Sequence, residues 1–380
     1  MIYLDNAATS FPKPEVVYQM VDYVQRNLAV NVGRGSYQTA TEAMKIVDET
    51  RYLLAKLVGV ANPNNVVITP SATIAANEII YGLEWTAFKN VYITPFEHNA
   101  IARPLQMIKE QYGVKIIQLP FDPISQQFDA EKTKVLFAKY TPDYIFINQV
   151  SNVTGMICPV KSISSLAQKY NAKVIVDGSQ AVGLLDINLE RDGIDYLIFA
   201  GHKTLYASWG IGGFISRDKC NLKSHLTGGT GSNSLDLSMG EDGPTKYEPA
   251  SPNIIAIASL NQSLKWIEEV TREAIWLHKK ALVNELVNGL QERGCILYVP
   301  RDMSNHTSVV SFNIEGYTAR EVGTILSQDF DIAVRTGYHC APFIHEFLGT
   351  KENEGTVRAS VSYFNTSEDI EALLGALNDL

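Results

Sequence analysis

The sequence predicts an α/β fold: a mostly parallel sheet between helices, followed by a smaller α+β region. Three observations carry this. Short runs rich in β-branched residues recur between about Asn65 and Phe214, at residues 66–69, 91–93, 116–117, 144–147, 174–176 and 196–199. They are apolar on both faces, as strands covered on both sides must be. Helix-length amphipathic stretches separate them, the rhythm of parallel crossovers. With 380 residues, 46% of them hydrophobic, and domains of about 150 residues each, the chain divides into a large domain over 15–255 and a small one over 256–380, with 1–14 packing nearby.

In sheets of this kind ligands collect outside the carboxyl ends of the strands. The residues that follow each run are therefore the place to look for chemistry. Run 66–69 leads into Pro70-Ser71-Ala72-Thr73, which opens a helix; run 91–93 leads to Glu97-His98-Asn99; run 144–147 to Ser151-Asn152; run 174–176 to Asp177-Gly178-Ser179-Gln180; and run 196–199 to Gly201-His202-Lys203. Residues 226–251 are rich in Gly, Ser and Asp and have no period, so they read as a functional loop or a subunit contact. Beyond Asn253 the pattern gives long helical periods over 256–290, a strand over 307–312, a helix over 318–326, a strand over 332–335 and a last helix over 367–377.

Charge and composition exclude several functions. Lys plus Arg is 32 and Asp plus Glu 41, for a net charge of −9, and no basic run interrupts that background, so nucleic acid is not an expected partner. No stretch approaches the roughly 18 apolar residues of a membrane span, and no basic head precedes an apolar segment at Met1. A cytoplasmic location is expected. The four cysteines, Cys158, Cys220, Cys295 and Cys340, form no Cys-x-x-Cys pair, which argues against a disulfide framework or a zinc ribbon. Residues 229–234 lack the third glycine of a dinucleotide fingerprint, and there is no Walker A loop.

Individually the candidate residues are ambiguous. A lysine at a strand end, such as Lys203, is commonly a surface residue, yet desolvation at the ligand edge would fit it to form an imine. Asp177 reads equally as a helix N-cap or as a buried carboxylate facing a protonated ring nitrogen. One crossover and one strand separate it from Lys203, so both can converge on one small ligand. Ser71-Ala72-Thr73 suits a phosphate at a helix N-terminus, although ordinary capping explains the same residues. His98 and Asn152 are polar groups at strand ends, and His98 could stack on a flat ring. Cys340 follows a strand within Arg335-Thr336-Gly337-Tyr338-His339-Cys340-Ala341-Pro342, beside two potentially positive groups of the kind that activate a thiol; the other reading is a small apolar core residue. A metal site from His339, Cys340 and His345 lacks the spacing and a fourth ligand. Arg358, flanked by Val357 and Ala359, needs an anion: a substrate carboxylate or a structural salt bridge.

Taken together, nine segments resemble the cysteine desulfurases within the class V aminotransferase-like, fold-type I enzymes. They are Tyr3-Leu4-Asp5-Asn6-Ala7-Ala8-Thr9, Ser71-Ala72-Thr73 with Asn77, Glu97-His98-Asn99, Ser151-Asn152-Val153-Thr154-Gly155, Asp177-Gly178-Ser179-Gln180, Gly201-His202-Lys203, Ser251-Pro252-Asn253, Arg335 to Cys340, and Arg358-Ala359-Ser360 with Asn365-Thr366. Their family order over essentially the whole chain is what makes the signal specific.

The resemblance implies pyridoxal 5'-phosphate as cofactor, held in the large domain as an imine on Lys203. It implies that Asp177 pairs with the pyridine nitrogen, Gln180 bonds the phenolic oxygen and His98 stacks on the ring and moves protons. Ala72, Thr73 and His202 hold the phosphate, and Ser251 reaches it from the other subunit of a homodimer. Asn152, Arg358 and Arg335 bind the substrate, L-cysteine, and Cys340 in the small domain takes its sulfur as a persulfide, leaving alanine. The short cysteine loop resembles the group that passes sulfur to an acceptor protein. Ala200 stands where many relatives carry a phosphate-binding serine, and segments 228–240 and 342–345 also depart from the family's forms. The alternatives are a selenocysteine lyase or another β-eliminating lyase of the same fold, an aminotransferase, and a non-catalytic protein that keeps the fold.

Overall fold

Strand residues 144–148, 173–177 and 196–200 alternate between two hydrophobic clusters: Ile145, Val174, Val176, Leu197 and Phe199 enter one, and Phe146, Ile175, Tyr196 and Ile198 the other. Successive side chains of a strand point to opposite faces, so the sheet is buried on both sides, as its apolar runs require. The computed structural model describes residues 1–32, 35–230, 235 and 237–380. Part of the 226–251 segment, residues 231–234 and 236, lies outside the described residues.

In chain order the elements are β1 (Ile2–Tyr3), α1 (Glu15–Asn27), α2 (Gln38–Leu57), β2 (Val66–Thr69), α3 (Ala72–Gly82), β3 (Asn90–Ile93), α4 (Asn99–Tyr112), β4 (Lys115–Gln118), α5 (Ala130–Lys139), β5 (Tyr144–Asn148), α6 (Val160–Ala167), β6 (Lys173–Asp177), α7 (Leu189–Asp192), β7 (Tyr196–Ala200), β8 (Gly212–Ser216), α8 (Ile254–Val270), α9 (Arg272–Glu292), β9 (Ile296–Leu297), β10 (Val309–Asn313), α10 (Ala319–Phe330), β11 (Ile332–Ala333), β12 (Arg335–Gly337), α11 (Ile344–Phe347), β13 (Thr356–Ser360) and α12 (Ser367–Ala376).

The large sheet runs β2-β8-β7-β6-β5-β3-β4. Only β8 is reversed, pairing antiparallel with both β2 and β7, so the mostly parallel α/β sheet is borne out. The sequence runs miss β8 because it opens on Gly212-Gly213, residues poor in strand propensity. Both glycines are needed for close approach: a Cβ on Gly213 would lie 2.1 Å from the Val67 carbonyl oxygen, and one on Gly212 2.5 Å from the Ala72 nitrogen. Helices α3 and α4 cover one face; α1, α2, α6 and α8 cover the other.

The helical stretch 256–290 proves to be two helices, α8 and α9. Thr271 divides them with φ +75° and caps the second by accepting from the Ala274 amide. Beyond them an antiparallel sheet runs β12-β13-β10-β9, and β1 pairs in parallel with β11. The strand over 332–335 is split at Val334 into β11 and β12, which join different sheets. Leu4, α9, β10, β13 and α12 share a third hydrophobic cluster, which ties the N-terminal strand to the C-terminal third of the chain.

Candidate active site

The carboxyl ends of β5, β6 and β7 lie side by side, with Asn148 opposite Asp177 and Asp177 opposite Ile198. They meet the N-terminus of α3 around a cavity of about 240 Å³. Lys203 and Asp177 both line it, so the amine and the acid converge on one space.

Asp177 ends β6 and is 6% exposed. Its Oδ1 accepts from the Ser179 amide at 2.9 Å, but a turn rather than a helix follows, so it is not a helix N-cap. Beside it, Gln180 Nε2 donates to the Ala7 carbonyl at 2.7 Å. Burial pushes the Lys203 ammonium below its ordinary range; Asp177 opposes this, while Arg358 and Arg335 add to it. A larger fraction of free amine is the result, the form that attacks a carbonyl.

His98 caps α4, its Nδ1 accepting from the Ala100 amide at 3.1 Å. Burial and then the Lys203 charge lower it to about 4, so the ring is neutral at pH 7. His202 stacks on Trp209 with centroids 4.1 Å apart. Its Nδ1 is buried without a partner, and burial, Lys203 and Lys13 lower it to about 3. Ser71 caps α3 through the Ile74 amide at 3.3 Å. Ala72 and Thr73 then supply first-turn amides, which have no intrahelical acceptor. Capping by Ser71 therefore leaves these amides available to donate to an anion.

Asn152 Nδ2 donates to the His339 carbonyl at 2.7 Å, and its Oδ1 is buried without a partner. Arg358, 1% exposed, donates from Nη1 to the Asn152 carbonyl at 3.0 Å and from Nη2 to Asp5 Oδ1 at 2.5 Å. Its Nε remains unpartnered. The salt-bridge reading of Arg358 thus holds, and the same guanidinium still lines the cavity.

Cys340 borders a second, larger cavity of about 980 Å³. Arg335 and His339 line both spaces, and Arg335 Nη2 is 3.4 Å from Cys340 Sγ. His339 and Cys340 have φ +48° and +57°, a left-handed pair that non-glycine residues adopt at a cost. Asn99 fixes the turn, its amide donating to the Cys340 carbonyl at 2.7 Å. Cys158 and Cys220 are buried in the core, and Cys295 is half-buried. Among the described residues no group of three or more His, Cys, Asp or Glu is placed to hold a metal.

Ser251 is exposed and does not line the cavity of its own chain. Sequence reasoning gave no role to Asp5, Trp209 or Glu97. Asp5 stood within a recognised segment, and its role becomes visible only when β13 brings Arg358 to it. Nothing in the local sequence distinguishes Trp209. Glu97 is fully buried: its Oε1 accepts from Thr94 Oγ1 at 2.6 Å and the Asn148 amide at 2.8 Å, Oε2 has no partner, and burial, assisted by Asp177, raises it to about 7.

A family model described as "Aminotransferase class-V" matches residues 2–373. The chain belongs to that family. The resemblance drawn from the nine segments is therefore borne out. A relative from Pyrococcus abyssi named "Probable cysteine desulfurase" is 30% identical, over 100% of this chain and 94% of its own length. A "Cysteine desulfurase" from Yersinia pestis is 29% identical, over 99% and 92%. Among solved structures, the apo cysteine desulfurase of Thermococcus onnurineus superposes with a TM-score of 0.91 at 29% identity, over 100% of this chain and 94% of that one. The Escherichia coli cysteine desulfurase CsdA gives 0.87 at 26%, with 100% and 94% covered.

Proposed function

We propose that this enzyme is a cysteine desulfurase that converts L-cysteine to L-alanine and holds the sulfur as a persulfide on Cys340. One observation carries the reading: Lys203 and Asp177 share a cavity whose wall, at Arg335, touches the Cys340 thiol.

The cavity's chemistry fits pyridoxal phosphate. Lys203 would hold it through the aldehyde, with Asp177 toward the ring nitrogen, Gln180 toward the phenolic oxygen and His98 toward the ring face. Ala72, Thr73 and His202 would hold the phosphate, and the unpartnered His202 Nδ1 supports that assignment. Bound there, the cofactor supplies an electron sink.

This chain's own groups do the rest. Arg358 Nε and Asn152 Oδ1, both buried and unpartnered, orient the substrate's carboxylate and amine, with Arg335 beside them. Lys203 and neutral His98 move protons at the substrate carbons. The Cys340 thiolate attacks the substrate sulfur. The carbon–sulfur bond breaks with its pair left on carbon, a sulfur–sulfur bond forms, and the carbon takes a proton to become the alanine methyl group.

A homodimer is part of the proposal, with Ser251 completing the partner's phosphate site. The exposure of Ser251 and the full exposure of Leu237 nearby support it. A cytoplasmic location, a sulfur-accepting protein and the division at 15–255 and 256–380 belong to the same reading. No helix among the described residues is long and apolar enough to cross a membrane.

Lys203→Ala is expected to abolish the visible imine absorbance of protein supplied with cofactor. Cys340→Ala is expected to keep the colour and lose sulfide release from cysteine. A wild-type protein that stays colourless with added cofactor would overturn the proposal.

A further inference from the structure

The cavity beside Cys340 differs in charge from the rest of the molecule. The chain carries a net charge of −9, yet the residues lining this space include Arg103, Lys109, Arg335 and Lys351 and no aspartate or glutamate. Lys351 pairs with Glu346 at 3.0 Å. Among the described residues Arg103, Lys109 and Arg335 have no acidic partner within ion-pair distance. A groove this size, in an acidic protein, lined by three uncompensated cations and no acid, favours an anionic occupant.

The spacing of the cations separates a chain segment from a small molecule. Arg103 and Lys109 are exposed on α4, six residues apart, or about 9 Å along a helix at 1.5 Å per residue. Arg335 stands on another wall of the groove, beside the thiol. Charges spread along a helix and across to a second wall suit an elongated anion better than a compact one. Between them the groove floor is apolar, with Ala102, Leu105 and Phe343.

We infer that this groove docks an extended acidic segment of the sulfur-accepting protein, with carboxylates on Arg103 and Lys109 and a cysteine delivered to Cys340. The inference rests on the desulfurase reading for its chemistry. The acceptor thiolate attacks the outer sulfur of the Cys340 persulfide, a new sulfur–sulfur bond forms, and Cys340 leaves as thiolate. No external oxidant or reductant is required.

The test uses the cofactor-loaded enzyme and synthetic single-cysteine peptides of equal length, one rich in glutamate and one rich in lysine. At low salt the acidic peptide should take up sulfur about tenfold faster, and raised salt should erase the difference, since exposed charges are screened. The double variant R103E/K109E should reverse the preference while leaving alanine release with dithiothreitol unchanged. Versions of the peptides with serine for cysteine, followed by fluorescence anisotropy, read docking without turnover. Equal rates for the two peptides, a preference that survives the double variant, or faster transfer to free glutathione than to the acidic peptide would each overturn the inference. Failure of alanine release with dithiothreitol would instead count against the desulfurase reading, and the anisotropy measurement would still judge the groove.

Discussion

Arg335 of β12 and Arg358 of β13 stand directly opposite each other in an antiparallel ladder, and both line the smaller cavity. Like charges placed this way repel. Asp5 neutralises Arg358, whereas the Arg335 guanidinium contacts the Cys340 thiol and has no carboxylate within ion-pair distance among the described residues. A substrate carboxylate or a thiolate would relieve the repulsion.

Arg335→Ala should therefore lower kcat/KM for cysteine by at least about tenfold, the worth of one charge-assisted hydrogen bond. It should also slow alkylation of Cys340 by iodoacetamide. Steady-state kinetics and mass spectrometry of the Cys340 peptide check both. Unchanged alkylation would remove Arg335 from the thiol's environment.

Asp5→Asn takes away the only carboxylate among the described residues that bonds the fully buried Arg358. Losing one partner of a buried pair costs about 3 kcal/mol. The urea midpoint should fall with the slope unchanged, and KM for cysteine should change because Arg358 loses its anchor. A midpoint equal to wild type would show that water replaces Asp5 at no cost.

Glu97 gives a pH dependence with a definite sign. Its folded pKa is raised from 4.5 to about 7, so between those values the folded state holds a proton that the unfolded state has lost. Its contribution to stability is most favourable below pH 4.5 and declines until pH passes 7. Glu97→Gln mimics the neutral form. The variant's melting temperature relative to wild type should be higher at pH 8 than at pH 5, by the equivalent of up to about 3 kcal/mol. Parallel melting curves at the two pH values would show that Glu97 is ionised in the folded protein.

Two glycines should respond in opposite directions to alanine. At Gly213 the added Cβ would meet the Val67 carbonyl oxygen at 2.1 Å, and overpacking of β8 against β2 should cost about 1–3 kcal/mol or more. At Gly375, inside α12, an added Cβ meets nothing within 4 Å, and the gain in helix propensity should stabilise by about 0.5–1 kcal/mol. Thermal melts of the two variants decide this.

Much of this architecture was legible because burial on both faces leaves an unbroken apolar run, and five of the six runs are followed by polar residues that line the smaller cavity. Lys203 and Asp177 were readable for that reason. Strand β8 was not, because its identity depends on what its glycines let approach, which is a property of Val67 and Ala72. Strand β13 was passed over as structure although Arg358 was noticed for its missing counterion. The counterion itself, Asp5, lies more than 350 positions away, and only the folded ladder brings it close. Trp209 under His202 left no local trace, since an aromatic residue is as consistent with a core as with a site.

The cavity is closed by Gln180 reaching the Ala7 carbonyl and by Arg358 reaching Asp5, so its walls draw on both extremes of the polypeptide. A nascent chain that has already exposed Lys203 still lacks β13, and with it the Arg358 side of the same cavity. The pocket is thereby assembled only once translation has passed residue 358, however early its lysine emerges.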